Sequence, residues 1–247
     1  QVAGGQTQTF TRQGWVFATG VHYIGGVGPQ AGAEGQFGRL LAWLSDGALE
    51  FADCGNPYDI VRLPGFEFGV EYPESAYRQR LLARFPDQHV VIDRWFAEMQ
   101  AARRAAMSLF AMRGMPAVLA WGLKLWRGAE VERMSQRTLA AALAEVPDRQ
   151  LRAVLGARWG DYGAPPDSAP LLEHALVTGA YNAGSYFPVG GPARFAQTLL
   201  PVVQAAGGEV QLGASVEQIL VEKGRACGVE YVQAGQRHSA RARNVIS

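Results

Sequence analysis

The last third of the chain is set by two dipeptides, Lys223-Gly224 and Ala234-Gly235, each placed between short runs rich in Val, Ile, Leu and Tyr. Such pairs are turn residues, and strands that meet across a two-residue turn must lie antiparallel. Strands are therefore predicted at Val216–Glu222, Ala226–Val232 and Gln236–Ala242, with a further one at Glu209–Leu212. Residues Asn244–Ser247 look like the start of another buried strand. Before the meander, Phe195, Leu199, Val202, Val203 and Ala206 fall at i, i+4, i+7, i+8 and i+11, which is one face of a helix. Pro192 suits its first turn and Gly207-Gly208 its end, while Pro201 predicts a kink inside it.

Toward the N-terminus, Gly4-Gly5 precedes an alternating run Thr7–Phe10, a turn at Gln13-Gly14 and a second strand Trp15–Ala18. Residues 35–50 read as a short amphipathic helix carrying Leu40, Leu41 and Leu44. Strands follow at Leu49–Ala52, Tyr58–Leu63 and Phe66–Tyr72, parted by Cys54-Gly55-Asn56-Pro57 and Pro64-Gly65, and are expected to form one antiparallel sheet. From Ser75 to about Ala144 the pattern is helical, broken at Pro86-Asp87. Leu139–Trp159 gives two more helical pieces separated at Pro147-Asp148, residues 160–170 a loop, and Leu171–Tyr181 a helix.

Met107–Trp126 stands apart because it is largely apolar over a length that approaches a membrane span. Arg113 and Pro116 argue against a true crossing. Two readings stay open: a segment lying on a membrane surface, with tryptophans at the headgroups and basic flanks, or a helix lining the protein's own core.

The composition, 48% hydrophobic and 18% charged, is that of a folded globular protein, and a net charge of +1 provides no basic field for nucleic acid. Cys54 and Cys227 lack metal-ligand spacing, so no metal site is expected and a reducing, cytoplasmic setting is preferred to a disulfide. No basic-then-apolar leader is visible in the first 20 residues. Sequence elbows for hydrolases, phosphate loops and zinc helices are absent as well.

Tyr186-Phe187-Pro188-Val189-Gly190-Gly191, then Gly207-Gly208-Glu209-Val210, then Gly213-Ala214-Ser215-Val216 resemble the FAD-dependent phytoene desaturase, carotenoid isomerase and retinol saturase family. A second, independent stretch is similar to the same family: Gly4-Gly5 resembles the glycine pair that follows its ribose-binding strand. Gly20-Val21-His22-Tyr23-Ile24-Gly25 resembles the segment that passes the flavin, on the retinol saturase and carotenoid isomerase side of the family.

The resemblance implies an α/β fold, α+β in its substrate part: a portion of a two-domain, glutathione-reductase-like flavoprotein with an inserted sheet-plus-helices domain. Residues 1–34 and 181–247 would belong to the FAD-binding domain and 35–180 to the substrate domain. By the same resemblance Gly4, Gly5, Gly20, Val21, His22, Gly190, Gly191 and Val216 would bind FAD, with Val216 at the adenine. His22 would be the catalytic candidate, and Tyr23 and Tyr186 would line a substrate channel. For the glycines, a turn or flexible loop is the competing reading, at Gly25-Gly26 and Gly28 above all. For His22 it is a structural hydrogen bond, and for the tyrosines packing. His89, His174 and His238 have no partners by spacing and read as structural or exposed.

The implied function is an FAD-dependent oxidoreductase acting on the conjugated double bonds of a carotenoid- or retinoid-like lipid, peripherally membrane-associated through Met107–Trp126. A flavin carries the hard chemistry itself, so few catalytic side chains are required. The alternatives are a flavin amine oxidase and a non-catalytic lipid- or prenyl-binding protein of the same architecture. The G-x-G-x-x-G fingerprint that holds the pyrophosphate is not in these 247 residues. Gly25-Gly26-Val27-Gly28 is rejected as a substitute. The expectation is an internal portion of a longer flavoprotein, inactive in isolation.

Overall fold

A computed structural model describes residues 2–28 and 35–247. It divides the chain into two compact units, one made of Gln1–His22, Trp43–Leu49 and Gly190–Ser247 and the other of Tyr23–Ala42 and Glu50–Val189. These divisions, at 22/23 and 189/190 among others, do not coincide with the 34/35 and 180/181 domain boundaries expected from sequence, which stay an expectation. The first of those expected boundaries, and any helix directly after Gly28, lie outside the described residues.

The first unit is built from local hairpins. β1 (Thr9–Arg12) pairs with β2 (Trp15–Ala18) across Gln13-Gly14. Both turn residues have positive φ, 52° and 82°, the backbone of the tight turn whose twist matches that of the strands it joins. The same left-handed pairs occur at Lys223-Gly224 and Ala234-Gly235 and close the meander β7 (Ala214–Glu222), β8 (Arg225–Gln233) and β9 (Gln236–Arg241). α8 (Arg194–Ala205) runs through Pro201. It ends because the Gly208 N–H donates to Val203 O (2.9 Å) and the Gly207 N–H to Gln204 O (2.9 Å), a Schellman cap.

Two expected strands of this unit are corrected. Residues 209–212 form no ladder; they are held by side chains, as where Gln233 Nε2 donates to Leu212 O at 2.8 Å. Residues 244–247 are not a strand either, and Ile246 is 97% exposed. An apolar run becomes a strand only when a neighbour takes up its backbone groups.

The second unit holds the main core. The chain enters α1 (Gln36–Leu44), then β3 (Phe51–Asp53), β4 (Asp59–Leu63) and β5 (Phe66–Val70). The single meander expected for residues 49–72 is corrected. β4 and β5 form a hairpin about Pro64-Gly65, but β3 pairs antiparallel with β6 (Tyr186–Pro188), far along the chain. Ile24 takes the other side of β6, exchanging both backbone bonds with Tyr186 (2.8 and 2.9 Å). Helices α2 (Glu74–Arg84), α3 (His89–Gly114), α4 (Ala117–Gln136), α5 (Leu139–Leu143), α6 (Arg149–Gly156) and α7 (Leu171–Ala180) complete it. Their starts are specified by side chains where the sequence supplies them. Thr138 Oγ1 accepts from Ala141 N (3.2 Å) and Asp148 Oδ1 from Leu151 N (2.8 Å).

The core is one contiguous cluster in which Leu81, Ile92, Leu139, Leu151 and Leu171 are fully buried. α3 supplies its spine through Ile92, Trp95, Met99, Ala102, Ala105 and Ala106, spaced at three, four and seven residues. The alanines let α4 and α7 pack closely against it.

Candidate functional site

The 107–126 stretch is not one helix. α3 stops at Gly114, Met115-Pro116 turns the chain, and α4 packs back on α3. Pro116 supplies no N–H and so suits the start of the second helix. The stretch is divided between the core and the protein surface. Leu109 and Met112 touch the core, whereas Phe110, Val118, Leu119, Trp121, Leu125 and Trp126 are exposed. Among the described residues no helix is long and apolar enough to cross a membrane.

Below this hairpin, α1, α3, α4 and α7 enclose an open groove of about 1290 Å³. Its walls are mainly apolar, with Phe37, Leu40, Met107, Leu123, Trp126 and Leu176, and Arg103 and Asn182 also line it. It is roomier than the ~300–1,000 Å³ usual for ligand clefts.

Arg103 and Asn182 also line a second, nearly closed cavity of about 50 Å³. There Arg103 Nη2 donates to Glu74 Oε2 at 2.7 Å, and Asn182 Nδ2 lies 3.4 Å from the same oxygen. Deeper in, Arg158 is 6% exposed and lies 4.2 Å from the ring centre of Tyr181 and 4.7 Å from that of Tyr58, with Tyr23 at 5.9 Å. Asp161 accepts from its Nη1 (3.2 Å), and Asp59 Oδ2 stands 3.6 Å from Nη2, which has no hydrogen-bond partner among the described residues. A buried cation is retained here by ring faces and two carboxylates together. Burial, only partly opposed by Arg158, pushes the Tyr58 phenol up to about 12 and raises those of Tyr23 and Tyr181, so all three stay neutral phenols near neutral pH.

His174 lies on the same cavity and is fully buried. A carbonyl only accepts, so the 3.1 Å contact with Leu155 O puts the proton on Nε2; Nδ1 then accepts from Tyr162 Oη at 3.0 Å. Burial foremost, with Arg158 adding, lowers its pKa to about 4. It is a buried imidazole with both nitrogens engaged, by partners that the spacing in the sequence did not indicate.

The expected site residues fall into both units. Tyr23 belongs to the arginine cluster and donates to Asp59 Oδ2 (3.1 Å). Tyr186 is buried on β6, its hydroxyl donating to Ala183 O (3.3 Å), and lines neither the groove nor the cavity. Its ring explains Gly28: a Cβ there would come within 1.9 Å of Tyr186 Cζ, so this glycine is a close-packing residue. Gly25 likewise abuts Ala180 O, at 2.1 Å from where a Cβ would stand. In the first unit Gly4 and Gly5 open a short 3-10 turn that Gly20 packs against through Gln6, and α8 approaches the same turn. Val21 is half-buried beside it and His22 is exposed. Gly190 and Gly191, both at φ 86°, lead into α8, and Val216 is exposed on β7 opposite Tyr231.

For FAD, the fit is partial. Among the described residues, none beyond the chain neighbours comes within 4 Å of the Cβ position at Gly5 or Gly191, so there is open space beside the backbone at both. The glycine fingerprint for the pyrophosphate is absent from the sequence.

No family model matches the chain. Among curated proteins, human all-trans-retinol 13,14-reductase is 33% identical over 238 residues, 92% of this chain and 38% of the relative. The rat enzyme of the same name is 32% identical over 246 residues, 95% of this chain and 39% of the relative. These reductases are homologues of the chain. The similarity supports the retinol saturase family, in agreement with the glycine motifs. A zebrafish protein named inactive all-trans-retinol 13,14-reductase is 23% identical over 256 residues, 99% of this chain and 41% of that relative. The chain thus spans about two fifths of the length of the relatives it matches.

The arginine–tyrosine cluster and the Glu74–Arg103 pair escaped sequence reasoning because their members are scattered from Tyr23 to Asn182. The one available signal was Arg158 between the apolar Val154-Leu155 and Trp159, a charge where a helix should be burying its face.

Proposed function

We propose that the chain serves an FAD-dependent oxidoreductase that reduces a conjugated double bond of a retinoid-like lipid. The observation that carries this reading is the apolar groove, within a chain similar over 92% of its length to a reductase of all-trans-retinol. In this reading the architecture is that of a glutathione-reductase-like flavoprotein, with the second unit as its substrate domain. Gly4, Gly5, Gly20, Val21, Gly190, Gly191 and Val216 would hold FAD, which supplies the two-electron transfer when bound. The groove would seat the polyene and keep water from it. His22, exposed on its own unit, is the candidate proton donor, because both nitrogens of His174 are already engaged.

The exposed face of the α3–α4 hairpin, with Arg104, Arg113, Lys124 and Arg127 nearby in sequence, supports docking on an anionic lipid surface beside the groove. Trp121→Ser with Leu125→Ser is expected to lower sedimentation with anionic vesicles several-fold. Unchanged sedimentation would remove the membrane from this account.

The deciding experiment takes the visible spectrum of the purified protein with and without added FAD, then follows all-trans-retinol under reducing conditions by chromatography. Retained flavin bands and a product with one fewer conjugated double bond are expected. Retinol binding with no flavin uptake would instead favour a lipid-binding role, and the absence of both would end the proposal.

A further inference from the structure

The groove is mainly apolar by area, although Gln36, Gln100, Arg104, Ser108 and Arg127 line it too; Arg103 and Asn182 are the residues it shares with the buried cavity. Three elements converge there. Glu74 opens α2, where an acidic side chain faces the positive end of the helix dipole. Arg103 comes from α3, and Asn182 from the 3-10 turn Tyr181–Ala183 that follows α7. The Arg103 stem crosses α7 at Gly179, where a Cβ would stand 2.6 Å from its Cδ. Glycine at that position lets the guanidinium reach Glu74.

We propose that Glu74, Arg103 and Asn182 form the specificity end of the groove and select a polyene ending in a neutral hydroxyl over one ending in a carboxylate. The inference rests on the reading of the groove as a polyene site and adds to it the recognition of the lipid's polar terminus. The pair at 2.7 Å is close to neutral as a unit and is largely withdrawn from solvent, with side chains 21% (Arg103) and 34% (Glu74) exposed. A guanidinium has five N–H donors, and the Glu74 bond uses one of them. Asn182 Nδ2 faces Glu74, which leaves its Oδ1 as an acceptor. A hydroxyl both accepts and donates, so it can take an Arg103 N–H and return its own proton to Asn182 Oδ1 or to the Glu74 carboxylate.

A carboxylate only accepts. It would meet an arginine already neutralised by Glu74, with the Glu74 charge behind it and an amide oxygen beside it, and burying such an unbalanced anion is costly. A hydrocarbon end would desolvate the same groups and return no hydrogen bond.

The test compares three ligands that share one polyene, all-trans-retinol, its carboxylic acid and the hydrocarbon lacking oxygen, by titration of tryptophan fluorescence in the intact protein. The alcohol is expected to bind about tenfold tighter than either of the others, as a hydrogen bond to a charged group provides. Glu74→Gln should shift the acid-to-alcohol ratio about tenfold toward the acid, because the repelling charge is gone while Arg103 stays. Arg103→Met should bring the alcohol down to the hydrocarbon. Gly179→Ala, which alters no charge, should lower the alcohol's advantage by displacing the Arg103 stem. Each ratio is read within one variant of native-like circular dichroism, so a general loss of stability does not imitate it. Equal binding of acid and alcohol by the wild type, or a ratio unmoved in Glu74→Gln, overturns the selection while leaving the polyene groove standing. Failure of the wild type to bind any of the three overturns both.

Discussion

The two units are held together by different means. In the second, β5, α2, α3, α5, α6 and α7 close over a continuous core, and even its charged residues are drawn in, as with Arg158 and its three tyrosines. In the first, Phe10, Trp15, Val16 and Phe17 on the β1–β2 hairpin and Val216, Ile219 and Val221 on β7 are exposed, and the order comes from ladders and turns. Backbone ladders fix direction and register but contribute modestly to net stability; close-packed apolar side chains contribute most of it. The contrast places the stability of the chain in the helical unit, whereas the first unit holds the glycines for which FAD binding is proposed.

The largest effect that would break this comparison is a truncation repeated in both places. Leu151→Ala, at a fully buried site on α6, should cost about 2–5 kcal/mol, the lost transfer energy plus the cavity left behind. Val221→Ala on β7 should change stability by less than about 0.5 kcal/mol, since its side chain is largely in water already. Urea denaturation midpoints of the two variants check both. Equal losses would mean that the β7 face is packed in solution and that the contrast is wrong.

What could be read from sequence follows the same division. The hairpins at Gln13-Gly14, Lys223-Gly224 and Ala234-Gly235 were legible because two adjacent residues with positive φ dictate the turn. The helix limits near Pro86, Pro147 and Gly207 were legible for equally local reasons. The pairing of β3 with β6 was not, because nothing near Phe51 names a partner at Pro188. Glu209–Leu212 and Asn244–Ser247 have strand-like composition but no ladder, since composition cannot supply the neighbour. The candidate site divides likewise. Tyr23 was placed by its motif, but its role as one wall of an arginine cage depends on Tyr58, Arg158 and Tyr181, which only the tertiary fold brings together. Tyr186 carries the family motif and yet lies buried on β6, where it packs against Gly28.

A smaller and more selective effect sharpens the comparison from within the helical unit. His174 is held neutral, its pKa lowered from 6.5 to about 4 first by burial and then by Arg158. Between those values the unfolded chain binds a proton that the native state refuses, so the unfolded state gains as pH falls. The stabilisation is complete above about pH 6.5 and is lost progressively as the pH drops toward 4, approaching about 3 kcal/mol for a shift of this size. Carboxylates titrate over part of the same range, and a variant separates the two contributions. His174→Gln keeps an amide to serve Leu155 O and has no proton to take up, so its stability should fall less steeply between pH 6.5 and 4 than that of the wild type, whatever its stability at pH 7. Denaturation at a series of pH values gives both slopes. Parallel slopes would place the proton uptake elsewhere, and the burial of His174 on the wall of the Arg158 cavity would no longer account for it.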